Sequence, residues 1–160
     1  MNKYLMQAID RLYFSIYPVK IRTPQKPDTY DFSQLTSKDC LENPELFYKK
    51  PDKIPDFSVT KVNDTNRFEV FDIKFPSPVQ TKYPKNNVVH GLYFKTHGKR
   101  DFATVILLHG WGRRNLWKEK RIAMMLAEHN INCFILKLPF HFERAPEGTW
   151  SGEYALTGDL

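Results

Sequence analysis

The stretch "TVILLHGWGRRN", residues 104–115, decides how the rest of the chain is read. Val105, Ile106, Leu107 and Leu108 form an apolar run that ends in His109-Gly110-Trp111-Gly112, and Arg113 and Arg114 follow at once. A run that does not alternate polar with apolar side chains reads as a strand covered on both faces, as in a parallel sheet between helix layers. Glycines at 110 and 112 tolerate positive φ and let another group come close to the backbone. The stretch therefore reads as a buried strand, a tight glycine turn and a helix start.

Downstream the sequence completes a unit. "RIAMMLAEHN" (121–130) puts Ile122, Met125, Leu126 and His129 at helical spacing, with Asn130 placed to close the helix in a left-handed conformation. "NCFILKLP" (132–139) is a second, nearly continuous apolar run. Strand, helix, strand makes a parallel βαβ unit, which crosses over right-handed. Upstream, "FEVFDIKF" (68–75) alternates Phe71, Ile73 and Phe75 with Asp72 and Lys74, the pattern of a half-buried strand. "VVHGLYFKT" (88–96) reads as another strand, "KYPKNN" before it as a loop, and the two strands as an antiparallel pair.

Residues 1–65 have a different texture. Leu5, Ile9, Leu12 and Ile16 line one face of an amphipathic helix that Tyr4, Tyr13, Phe14 and Tyr17 widen and Pro18 ends. Residues 18–65 hold most of the 11 prolines, which predicts an irregular, surface-wrapping extension with one short helix begun by Asn43 and Pro44. The expected division is thus 1–65, a helix and Pro-rich extension, and 66–160, an α/β domain.

Composition narrows the function classes. With 24 basic and 18 acidic residues the 160-residue chain carries a net charge of +6. Its one dense basic group, Arg113, Arg114, Lys118, Lys120 and Arg121, lacks any nucleic-acid-reading motif and reads as a solvated helix face, so no nucleic-acid partner is expected. Cys40 and Cys133 are too few for a disulfide framework or a zinc site. Asp10 and Arg11 interrupt what a signal peptide would need, and no run approaches the roughly 18 apolar residues of a membrane span. A reduced, cytoplasmic protein is the expectation.

In open parallel sheets, ligands bind beyond the carboxyl ends of the strands. That rule puts two loops on one edge, His109 to Arg113 and "PFHFERAPEG" (139–148). Backbone N–H groups in a turn just ahead of a helix favour negative charge, so the first loop is suited to an oxyanion. A purely geometric turn is the plain alternative. A dinucleotide site is disfavoured, because Asn115 stands where G-x-G-x-x-G needs its third glycine and Lys137, Leu138 and Pro139 end the second strand without the acidic residue.

"VILLHGWG", behind a strand pair and ahead of a helix, resembles the oxyanion loop of the α/β-hydrolase family. The resemblance implies that the backbone N–H of Trp111 donates to a tetrahedral intermediate, with Gly110 and Gly112 shaping the turn. It implies that His109 supports the loop and is not the base, since the family's chain order is serine, acid, then histidine. "LPFHFERAPEGTWSGEY" (138–154) resembles a segment in a largely bacterial subgroup of these hydrolases. It makes His141, Glu143, Arg144 and Trp150, together with Arg113, candidates for substrate contact. The plainer readings are an internal salt bridge for Glu143, a satisfied His141, and a Trp150 packed under the loop.

The chain also departs from the family. It contains no G-x-S-x-G elbow. "GTWSG" (148–152) fails because its first glycine lies three residues before Ser151 and no apolar strand leads into it. The expectation is a partial α/β-hydrolase fold, an antiparallel strand pair leading into a parallel βαβ unit, with an irregular N-terminal extension. It would be the N-terminal part of a serine-dependent hydrolase of a small-molecule ester, thioester or amide, inactive as this chain alone and needing no metal or organic cofactor. The rival is a non-catalytic module binding an anionic ligand through Trp111, Arg113 and Arg114.

Overall fold

A computed structural model describes residues 42–43, 53–98 and 101–156. The helix expected over residues 4–17 lies outside the described residues, and so does the one expected to begin at Asn43 and Pro44, apart from Asn43 itself. Five strands form one sheet: β1 (Ser58–Asp64), β2 (Phe68–Pro76), β3 (Val88–Thr96), β4 (Thr104–Leu108) and β5 (Asn132–Leu136), in the order β1-β2-β3-β5-β4. The expected antiparallel pair is β2 with β3, in register Phe71 to Tyr93 and Ile73 to Gly91. β5 runs antiparallel to β3 and parallel to β4, with Val105 opposite Cys133. Helix α1 (Trp117–Glu128) joins β4 to β5 and completes the βαβ unit. The α/β class and the partial fold read from the sequence are what the chain adopts.

Helix α1 ends as its sequence requires. Asn130 takes φ 61°, and the N–H groups of Asn130 and Ile131 donate to the carbonyls of Ala127 and Leu126. That paired pattern caps the last turn and reverses the chain into β5. The buried face of α1 differs from the one expected. Ala123 and Ala127 meet Cys133 and Ile135, with Phe68, Val70, Phe94 and Leu116 around them, while Ile122 and Met125 are exposed and Leu126 is only half-buried. Small side chains let the helix axis approach the sheet, and two alanines at i and i+4 do so better than longer residues.

Three further readings are corrected. Ser58–Asp64, assigned to the irregular extension, is a strand of the sheet. Every residue of it is exposed, so no buried face imposes the alternation that marks a strand in sequence. Lys61 reaches both Asp64 (2.9 Å) and Glu69 (2.8 Å), and charge on an edge strand discourages further pairing. Next, β4 is not covered on both faces: Thr104, Val105, Ile106 and Leu108 are exposed. Its outer edge, as a partial fold implies, pairs with nothing among the described residues. Lastly, Phe71, Ile73 and Phe75 do not supply the core of β2. Phe68 and Val70 face α1, whereas the former three line an open groove of about 570 Å³ with Val59, Tyr93 and Phe134.

An apolar edge of this kind templates association. The 160-residue chain expressed alone should therefore self-associate, and Ile106→Lys should raise its monomeric fraction. Size-exclusion chromatography with light scattering checks this; a wild-type chain that elutes as a cooperatively unfolding monomer would contradict it.

Candidate active site

Both loops leave the carboxyl edge of the parallel pair, and the structure fastens one to the other. His109, 4% exposed, accepts the Leu138 N–H at Nε2 (3.0 Å), so its proton sits on Nδ1 and meets the Gly110 carbonyl at 3.0 Å. Its ring lies 4.7 Å from His141 and 4.9 Å from Phe142. His109 thus ties the glycine turn to the chain just beyond β5. Trp111 adds a second tie, its indole N–H donating to the Gly152 carbonyl at 2.8 Å. Among the described residues the backbone N–H groups of Trp111 and Gly112 have no protein acceptor.

The glycines divide their work differently from expectation. Gly112 is left-handed, φ 68°, and a Cβ there would sit 3.9 Å from Trp150. Gly110 is not left-handed, and a Cβ on it would meet nothing within 4 Å. The positive-φ requirement rests on Gly112 alone.

The second loop is strained and held by side chains from elsewhere. Phe140 (φ 61°) and Phe142 (φ 51°) are both left-handed, a conformation that bulky residues adopt only when the surroundings impose it. Asn86 Oδ1 accepts the Phe140 N–H at 2.9 Å, and Ser151 Oγ accepts the Phe142 N–H at 3.1 Å. Arg144, 3% exposed, donates to the Asn86 carbonyl and to the Lys137 carbonyl (3.0 Å). Its guanidinium is spent on backbone, which corrects the expectation that it contacts substrate.

Glu143 is in the internal salt bridge that was the plainer reading, 2.6 Å from Lys137. Burial pushes its carboxyl up, but the Lys137 ammonium outweighs this and holds it below the usual range. Arg113 lies 3.5 Å from the buried Glu119, so part of its charge is engaged within the chain. Trp150 packs edge-on against Trp111, ring centres 5.5 Å apart, with both rings partly exposed beside the turn. His141 is neither satisfied nor on the surface. It is 2% exposed, Nδ1 donates to the Pro139 carbonyl at 2.7 Å, and Nε2 has no partner among the described residues. Burial pushes its imidazole below the ordinary value; the Pro139 bond opposes this, and His109 and Arg144 add to it.

Sequence reasoning missed Asn86 and Gly152. Asn86 looked like one more polar loop residue in "KYPKNN", and only the folded chain brings it to Phe140, 54 positions away. Gly152 entered solely as the end of a failed serine motif, yet its left-handed backbone (φ 91°) sits where the loops meet. No residue of the open sheet groove belongs to either loop.

The chain matches the family described as alpha/beta hydrolase domain containing 18 over residues 29–160, and it belongs to that family. Among solved structures it is similar to acetyl xylan esterase 1 from Thermoanaerobacterium sp. JW/SL YS485, with 14% identity and a TM-score of 0.47 over 62% of this chain and 29% of that one. It is also similar to the acetyl xylan esterase from Paenibacillus sp. R4, with 16% identity and a TM-score of 0.45 over 65% of this chain and 32% of that one. The chain spans under a third of the length of either. No curated protein matches it by sequence. No helix among the described residues is long and apolar enough to cross a membrane.

Proposed function

We propose that this chain supplies the oxyanion-binding half of a serine-dependent acyl hydrolase whose nucleophile, acid and base lie outside residues 1–160. The observation that carries the reading is the Trp111 N–H, left without a protein acceptor among the described residues in a turn whose side chains are otherwise tied down. When a serine attacks an ester, thioester or amide carbonyl, the oxygen gains negative charge as the C–O π bond opens. A fixed N–H aimed at that oxygen stabilises it more than the ground-state carbonyl, and one such donor is worth roughly 10²- to 10³-fold in rate. Collapse of the tetrahedral intermediate expels the alcohol, thiol or amine and leaves an acyl-enzyme that water then hydrolyses.

No nucleophile suits the reaction within the described residues. Ser151 Oγ receives the Phe142 N–H in a turn that no strand enters, and it makes no hydrogen bond to a histidine. Cys133 is buried, and burial pushes its thiol up to about 11, far from the thiolate a nucleophile requires. A free, buried thiol also fits the reduced, cytoplasmic setting we infer. The reading assigns no role to a metal or an organic cofactor. The rival anion-binding module loses support because Glu119 already engages Arg113.

The 160-residue chain by itself should not hydrolyse p-nitrophenyl acetate above background. Turnover by that chain, abolished in Ser151→Ala, would overturn the proposal.

A further inference from the structure

His141 is the one imidazole in the two loops with a nitrogen left over. Its Nδ1 proton is used on the Pro139 carbonyl, so Nε2 carries a bare lone pair, and that lone pair is buried without a donor among the described residues. Buried acceptors are nearly always satisfied, so an orphan calls for a reason in the surrounding packing.

The packing supplies one. The imidazole edge meets Gly152 so closely that a Cβ on that glycine would lie 2.6 Å from Nε2 and 3.1 Å from Cδ2. The same Cβ would lie 3.2 Å from the Gly112 nitrogen. Three pieces therefore converge on one point: the ring of His141, the backbone of Gly152 and the glycine turn of the first loop. Gly152 is fixed in turn by its N–H on the Phe140 carbonyl (2.8 Å), and its own carbonyl receives the Trp111 indole N–H. On the other side His141 packs edge-on against His109. Phe140 and Phe142, both left-handed, hold His141 between them, and strain of that kind persists where the surroundings over-determine the backbone.

Resting on the reading of residues 109–113 as an oxyanion loop, we infer that His141 is a positioning residue: its ring sets Gly152, Gly152 sets the Trp111 indole, and the indole fixes the residue whose N–H faces the reacting oxygen. The orphan nitrogen follows from this arrangement. A side chain with a donor at that atom would need an acceptor where the Gly152 backbone stands.

The arrangement holds only while His141 is neutral. A second ring proton would be a buried donor without an acceptor. The titratable or charged groups that act on it are His109 from the first loop and the Arg144 guanidinium from its own loop, and neither favours a cation. Because burial lowers its pKa in the folded state, the unfolded chain binds the proton more readily. The contribution to the junction is complete above the ordinary histidine pKa of about 6.5 and is lost as pH falls below it.

The test reads the Trp111 indole in the whole protein, by ¹⁵N NMR, with the resonance assigned through Trp111→Phe. In His141→Ala the Trp111 indole N–H should lose at least about tenfold of its protection from solvent exchange, while the Trp117 indole is unmoved. His141→Asn, which keeps a donor for the Pro139 carbonyl but not the ring, should lie between the two. On lowering the pH from 7.5 to 5.5 the wild-type indole should lose protection and the His141→Asn indole should not. Kinetically, kcat on p-nitrophenyl acetate should fall about 100-fold with KM nearly unchanged, as for a small misplacement of a catalytic group. Should His141→Ala fail to fold, His141→Asn and the pH series carry the same comparison. Indole protection equal to wild type in folded His141→Asn, and independent of pH in wild type, would overturn the inference. Because the indole readout needs no turnover, lost protection in a protein that hydrolyses no ester would support the positioning and sink the acyl-transfer reading instead.

Discussion

Gly152→Ala in the whole protein should lose roughly 2 to 5 kcal/mol of stability, the sum expected for a left-handed backbone forced on an L-residue and for overpacking a filled site. The backbone term arises from φ 91°, which an alanine does not hold without strain. The packing term arises because the new methyl would sit 2.6 Å from His141 Nε2 and 3.2 Å from the Gly112 nitrogen. His141 has little room to yield, since its Nδ1 is tied to Pro139 and its ring packs edge-on against His109. Retreat of the Gly152 backbone would instead break its bonds to Phe140 and to the Trp111 indole. Urea unfolding of the two proteins measures the difference, and an alanine variant as stable as wild type would show that the loops do not meet as described.

Gly112→Val should act on catalysis more than on folding. There is space for the side chain, because the nearest atom to a Cβ is Trp150 Cζ3 at 3.9 Å. The obstacle is conformational: φ 68° is a genuine outlier for a β-branched residue. The turn must re-route, and the Trp111 and Gly112 amides swing with it. Loss of one oxyanion donor lowers kcat by about 10²- to 10³-fold, with KM little changed. Gly110→Ala, at a position that is not left-handed and has open space around it, should cost far less. Steady-state kinetics on an activated ester separates the two variants. Equal rates for Gly112→Val and wild type would reduce the loop to a structural turn.

The parts of the fold legible in the sequence are those whose pattern is set locally. The βαβ unit showed itself through two apolar runs at the right separation, and Asn130 announced the helix end because few other residues adopt the left-handed cap. β1 did not, since an edge strand exposed on both faces has no buried face to impose alternation. The buried stripe of α1 was misjudged because bulk was weighed above close approach, and Ala123 and Ala127 win by being small. Within the site, His109, Trp111 and Gly112 were legible because one short motif holds them all. What eluded the sequence is long-range: the Asn86 clamp on Phe140 and Arg144, and the seat of His141 on Gly152, join residues whose proximity exists only after the chain has folded.

Covalent labelling of the whole protein with a fluorophosphonate tests the central claim most directly, because the reagent phosphonylates an activated serine and leaves its phosphoryl oxygen in the oxyanion site. The account predicts one labelled serine, located by mass spectrometry outside residues 1–160, with labelling slowed about 100-fold in Gly112→Val, the effect of a lost oxyanion donor. Labelling at Ser151, or labelling at an unchanged rate in folded Gly112→Val, would contradict it.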